Sequence, residues 1–80
     1  MADTLEHVDA ELDTSGLNCP LPILKTKKVL NTMLSGQLLR VVATDPASRI
    51  DFAAYCAQTG HQLVDEAGDN GRFVFVLRKK

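Results

Sequence analysis

Leu17-Asn18-Cys19-Pro20-Leu21-Pro22 opens a long amphipathic run and marks the place where a loop becomes a helix. Proline is tolerated in the first helical turn, because a backbone N–H there finds no intrahelical acceptor anyway. With Pro20 at the first helical position and Pro22 at the third, Cys19 becomes the N-cap. Its sulfur then sits at the positive end of the helix dipole, which favours an anion. A thiol so placed has its pKa lowered from about 8.5 to roughly 3.5–7.5. The two prolines fix φ and hold the sulfur outward, and they leave the amides of Leu21 and Ile23 as the nearest donors in the turn. The expected chemistry is that of an exposed, partly ionised, nucleophilic sulfur.

Downstream of this stretch, residues 20–34 carry a helical period. At 100° per residue, Ile23, Thr26, Leu30, Met33 and Leu34 share one side, with Val29 at its margin. Lys25, Lys28 and Thr32 lie opposite and Lys27 lies at the boundary. Ser35-Gly36 supplies a stop. Residues 37–44 are rich in β-branched side chains and read as a strand, with Leu39, Val41 and Ala43 toward the core. After it comes Asp45-Pro46. Either Asp45 caps the next helix with Pro46 at its first position, or Ser48 caps it with Asp51 three residues on. Ile50, Ala53, Ala54 and Ala57 form a stripe of small residues on this second helix, and Gly60 ends it. Residues 61–67 and 72–78 flank Gly68-Asp69-Asn70-Gly71 and read as a hairpin, with Phe73, Phe75 and Leu77 inward. Upstream, Val8, Ala10 and Leu12 alternate with Asp9, Glu11 and Asp13 as a half-buried strand, closed by Thr14-Ser15-Gly16. Residues 1–7 read as a flexible tail before a single domain at 8–80. The order β-α-β-α-β-β predicts an α/β two-layer sandwich: a four-stranded mixed sheet with two helices packed on one face.

The 80 residues carry a net charge of −1, which argues against a domain built to grip nucleic acid or an anionic membrane. No apolar run approaches the 18 or more residues of a membrane span. The first residues have neither the basic nor the apolar region of a signal peptide. The expected compartment is therefore the cytoplasm, where thiols stay reduced. Cys19 and Cys56 are far apart in sequence, and neither has a second cysteine near enough for a redox dithiol or a zinc ribbon. Adding His7 and His61 gives no pair with ligand spacing, so no metal is expected. Cys56 reads as part of the packing side of the second helix, and His61 as a residue at the start of a strand.

These residues resemble the TusA/SirA family of small sulfur-carrier proteins. The resemblance rests on Asp13 and Gly16-Leu17 before the motif, on Cys19-Pro20-Leu21-Pro22 itself, and on Gly36, Asp45-Pro46, Gly60-His61 and the aromatic strand running into Arg78-Lys79. It implies the same two-layer fold. It further implies that Cys19 accepts sulfane sulfur as a transient persulfide, with no other cofactor, from a cysteine desulfurase or a rhodanese-type donor. The sulfur then passes to an acceptor protein in tRNA thiolation, molybdenum-cofactor or sulfur-oxidation pathways. The protein acts as a carrier and co-substrate more than as a turnover enzyme, and as a monomer. Docking in the family falls on positions matching Lys27, where arginine is commoner, and Asp45. Asn18 stands where the tRNA-thiolation branch often has arginine, and Leu21 where it often has glutamate, so the pathway stays open.

Two other classes remain beside this one. A thiol redox protein would use Cys19 and Cys56 together and needs a disulfide between them. A non-catalytic interaction or RNA-binding module would share the fold with a translation-factor domain, and it would show salt-dependent RNA binding.

Overall fold

Alternating and β-branched runs form the strands, and helical periods fill connections between them. A computed structural model, which describes residues 8–80, has β1 at Ala10–Thr14, α1 at Leu21–Leu30 and β2 at Leu38–Ala43. It continues with α2 at Ser48–Thr59, β3 at Gln62–Asp69 and β4 at Arg72–Arg78. The expected tail at 1–7, His7 included, lies outside the described residues. The element order and the two-layer sandwich are those expected. The sheet runs β1-β2-β4-β3. β1 and β2 are parallel, with Thr14 opposite Ala43, and β4 is antiparallel to both β2 and β3. Parallel neighbours need a crossover long enough to bring the chain back, and α1 supplies it.

The core lies between the sheet and the helices. Leu39, Val41 and Ala43 of β2 and Phe75 and Leu77 of β4 are fully buried there with Leu30 of α1 and Phe52 of α2. The rings of Phe52 and Phe75 stack with centroids 4.5 Å apart. Such a pair adds about 0.5–1.5 kcal/mol beyond the area it buries.

Several expectations are corrected. β1 extends through Thr14, whose buried hydroxyl donates to Val42 O at 2.6 Å. α1 stops at Leu30, four residues early. Beyond it Thr32 and Met33 donate their amides to Val29 O and Leu30 O, the tighter spacing of a closing turn, and the Thr32 hydroxyl also takes Val29 O. Leu34 is left 71% exposed. On α2 the small stripe faces away. Ala53, Ala54 and Ala57 are exposed, Ile50 is 77% exposed, and Ser48, Phe52 and Cys56 point inward at intervals of four. One phenyl ring buries about 150–250 Å², so turning Phe52 inward outweighs burying a row of alanine methyls.

The cap of α2 follows neither alternative. Its N-cap is Ala47, without a side-chain cap. Asp45 acts from two residues earlier instead, its Oδ1 accepting the Ala47 amide at 3.3 Å and its carbonyl the Ser48 amide at 3.0 Å. The hairpin turn is shorter than expected: Gly68 and Asp69 pair within β3, and Asn70-Gly71 alone reverses the chain with φ of +53° and +79°. Two positive φ values in a row are what a two-residue hairpin turn demands.

Candidate functional site

β1 and β2 run side by side in the same direction, so the loops leaving their far ends emerge together, and each leads into a helix. The first loop carries Cys19 and the second carries Asp45. Two hydrogen bonds tie them: Gly16 N donates to Thr44 Oγ1 at 2.8 Å, and Cys19 N donates to Asp45 Oδ2 at 2.7 Å. Gly16 is at φ +82°, a conformation that favours glycine, and a Cβ there would meet no atom within 4 Å. Glycine is required by the backbone, not by crowding. Leu17, half-buried, closes the turn by donating its amide to Thr14 O at 3.1 Å.

The start of α1 is one residue later than expected. Pro20 is the N-cap, with Pro22 buried in the first turn, and Cys19 precedes the cap. The Cys19-Pro20 peptide is cis. Pro20 O accepts the Leu24 amide, the first bond of the helix, while the Leu21 amide goes to Asn18 O at 2.8 Å. Leu21 N–H is therefore not a free donor for the sulfur. Cys19 itself is exposed. It lies on the rim of a shallow groove of about 220 Å³ whose far wall is Asp51, Ala54, Tyr55 and Gln58 of α2.

The electrostatics reverse the expected shift. Cys19 Sγ and a carboxylate oxygen from each of Asp45 and Asp51 lie within 4.8 Å of one another. The Asp51 carboxylate beside the thiol favours its protonated form, desolvation adds to this, and the charges of Asp51 and Asp45 oppose a thiolate, so the Cys19 pKa is raised above its ordinary value. The helix dipole acts only through its unpaired end groups and fades within a turn.

The family described as Sulfurtransferase TusA matches residues 10–79. This chain belongs to that family. It is 56% identical over 71 residues to the sulfur carrier protein TusA of Allochromatium vinosum, across 89% of this chain and 93% of the relative. It is 42% identical to the protein of the same name from Pseudomonas syringae pv. syringae, across 100% of this chain and 98% of the relative. A SirA-like protein of Desulfitobacterium hafniense superposes with a TM-score of 0.75 at 24% identity, covering 86% of this chain and 95% of that one, a likeness of fold.

Within this TusA-family frame the remaining expected residues are placed as follows. Asp45 is at the site, holding the Cys19 amide. Lys27 is exposed on α1, about 9 Å along the helix from its first residue, Leu21, at 1.5 Å per residue. Cys56 is 6% exposed within the core, where burial raises its pKa, and it lines no part of the Cys19 groove. The redox reading needs a disulfide between the two thiols; here both are free, Cys19 exposed and Cys56 buried. His61 is not at the site: its Nδ1 accepts the Lys80 amide at 3.0 Å and its ring tilts against Tyr55. Among the described residues no helix is long and apolar enough to cross a membrane. The residue that sequence reading missed is Asp51, considered only as half of a capping box. Its place beside Cys19 brings α2 against the loop before α1 and leaves no local pattern to read.

Proposed function

We propose that the chain is a sulfur carrier that accepts sulfane sulfur as a persulfide on Cys19 and relays it to an acceptor protein. The observation that carries this is an exposed sulfur on a loop whose own amide is fastened to Asp45, within a chain of the TusA family. Immobilising the backbone while leaving the side chain open suits a group that must enter another protein's active site. The family relationship points to a cysteine desulfurase or rhodanese-type donor and to a protein acceptor, with Asn18 and Leu21 leaving its pathway open. Lys27 and Asp45 form the docking positions, with Lys25 and Lys28 beside Lys27 on the exposed side of α1. A cytoplasmic setting keeps Cys19 reduced between transfers.

In the transfer, Cys19 Sγ bonds to the outer sulfur of the donor persulfide. The donor S–S bond breaks, its electron pair goes to the donor cysteine, and the Cys19 proton ends on that sulfur. No net oxidation occurs. Delivery to the acceptor repeats the step with the chain as donor.

Incubation with a desulfurase and cysteine is the test. The intact mass is expected to rise by one sulfur atom. Cys19→Ser abolishes the rise and Cys56→Ser keeps it. An adduct that survives Cys19→Ser overturns the reading.

A further inference from the structure

Asp51 is half-buried in the groove wall and lies in the first turn of α2, where the helix dipole favours an acidic side chain. It does not cap α2, whose N-cap is Ala47 without a side-chain cap. Among the described residues, no backbone amide and no cationic side chain pairs with it. Asp45, the other carboxylate beside Sγ, is committed through Oδ2 to the Cys19 amide and through Oδ1 to the Ala47 amide. Asp51 is the one left to face the sulfur, within 4.8 Å of it. We propose that Asp51 is a positioning residue for sulfur transfer, whose carboxylate accepts a hydrogen bond from the Cys19 thiol and keeps that sulfur protonated and unreactive in the free protein. This rests on the sulfur-carrier reading.

The thiolate is the reactive form of cysteine, toward oxidants and electrophiles as well as toward persulfides. An exposed sulfur meant for one kind of donor gains selectivity if it stays a thiol until docking. The titratable groups around Sγ are Asp45 from the loop before α2, and Asp51 and Tyr55 from α2. From the α1 side the groove is walled by uncharged Pro20 and Ile23, so no cation of α1 offsets the carboxylates there. During transfer the proton leaves Sγ as its bond to the donor sulfur forms, and it ends on the donor thiolate as the donor S–S bond breaks. Asp51 sets how readily it leaves.

The experiment is the rate of Cys19 alkylation by iodoacetamide from about pH 6 to about pH 10, resolved from Cys56 by peptide mass. The range spans the ordinary cysteine value of about 8.5. Wild type and Asp51→Glu are expected to titrate above that value. Asp51→Asn is expected to titrate lower and to react severalfold faster near pH 7.5, because a lower midpoint leaves more of the sulfur as thiolate there. An Asp51→Asn profile that superimposes on wild type overturns the proposal. Should that variant not fold, a wild-type midpoint at or below about 8.5 overturns it instead. The desulfurase mass assay is separate: a wild type that takes up no sulfur sinks the carrier reading and leaves the alkylation result standing.

Discussion

The backbone amide of Cys19 donates to Asp45 Oδ2 at 2.7 Å, so the loop that carries the sulfur hangs from the loop that starts the second helix. The bond spans the gap between the two parallel strands' connections, and it makes the position of the sulfur depend on both helices. Asp45 also accepts the Ala47 amide, so one carboxylate organises the starts of α1 and α2 together.

Replacing Asp45 by alanine removes both acceptors. Hydrogen bonds to a charged group contribute about 1.5–3 kcal/mol each, and solvent access at this rim reduces that. Asp45→Ala is expected to destabilise the fold by about 1–2 kcal/mol in total, seen as a Tm lower by several degrees. Sulfur loading of Cys19 should slow as well, because the loop loses its tether. Asp45→Asn keeps one acceptor oxygen and should recover most of the stability. An unchanged Tm in the alanine variant would show that the tether does not hold the loop.

Thr26 supplies a test in the opposite direction. Its side chain is fully buried on the inner side of α1, and its hydroxyl oxygen has no hydrogen-bond partner. An orphaned buried hydroxyl costs about 1–3 kcal/mol, and exchanging it for a methyl of the same shape removes the cost. Thr26→Val is expected to stabilise the protein by about 1 kcal/mol, read as a higher urea midpoint with an unchanged m value. A lower midpoint would mean that the hydroxyl is bonded in solution.

The strands were legible in the sequence and the helix faces less so. Alternation placed Leu39, Val41, Ala43, Phe75 and Leu77 inward because a strand's two sides differ at every step. On α2 the small residues Ala53, Ala54 and Ala57 formed as regular a stripe as Ser48, Phe52 and Cys56. Only the sheet opposite, with Phe75 waiting for a ring, decides between them. The sulfur was legible because Pro20 and Pro22 mark a helix start chemically. Its acidity was not, because the shift comes from Asp51, from desolvation and from Asp45, which come together at Cys19 only after β1 and β2 pair. The strand register brings Thr14 beside Ala43, and the two loops meet as a consequence.

His61 makes stability depend on pH. Burial, then the positive charges of Lys79 and Lys80, lower its pKa below the ordinary 6.5. Its Nδ1 accepts the Lys80 amide, which a proton on that nitrogen would forbid. The unfolded chain takes up a proton near 6.5 and the folded protein resists it. The stability due to His61 is therefore fully present above the unfolded value and is lost as pH falls through the folded one. The urea midpoint is expected to decline on acidification below about pH 6.5, and His61→Gln should flatten that part of the curve. An NMR titration of the imidazole with a midpoint at or above the ordinary value would contradict this.

Lys27 separates docking from folding. It is exposed on α1 with Lys25 and Lys28, so it contributes little to the native state, and charge reversal at such a site usually changes stability by less than about 0.5 kcal/mol. If the basic side of α1 steers an acidic donor, the change appears in the association rate and depends on salt. Screening shortens from about 10 Å at 0.1 M salt to about 3 Å at 1 M. Lys27→Glu is expected to load sulfur several-fold more slowly than wild type in dilute buffer, with the two rates converging as salt rises and with Tm unchanged. The measurement is the initial rate of the one-sulfur mass adduct on Cys19 against salt concentration at fixed donor. Equal rates in dilute buffer would leave Lys27 as a solvated side chain only, and the docking surface would have to be sought around Asp45 and the groove instead.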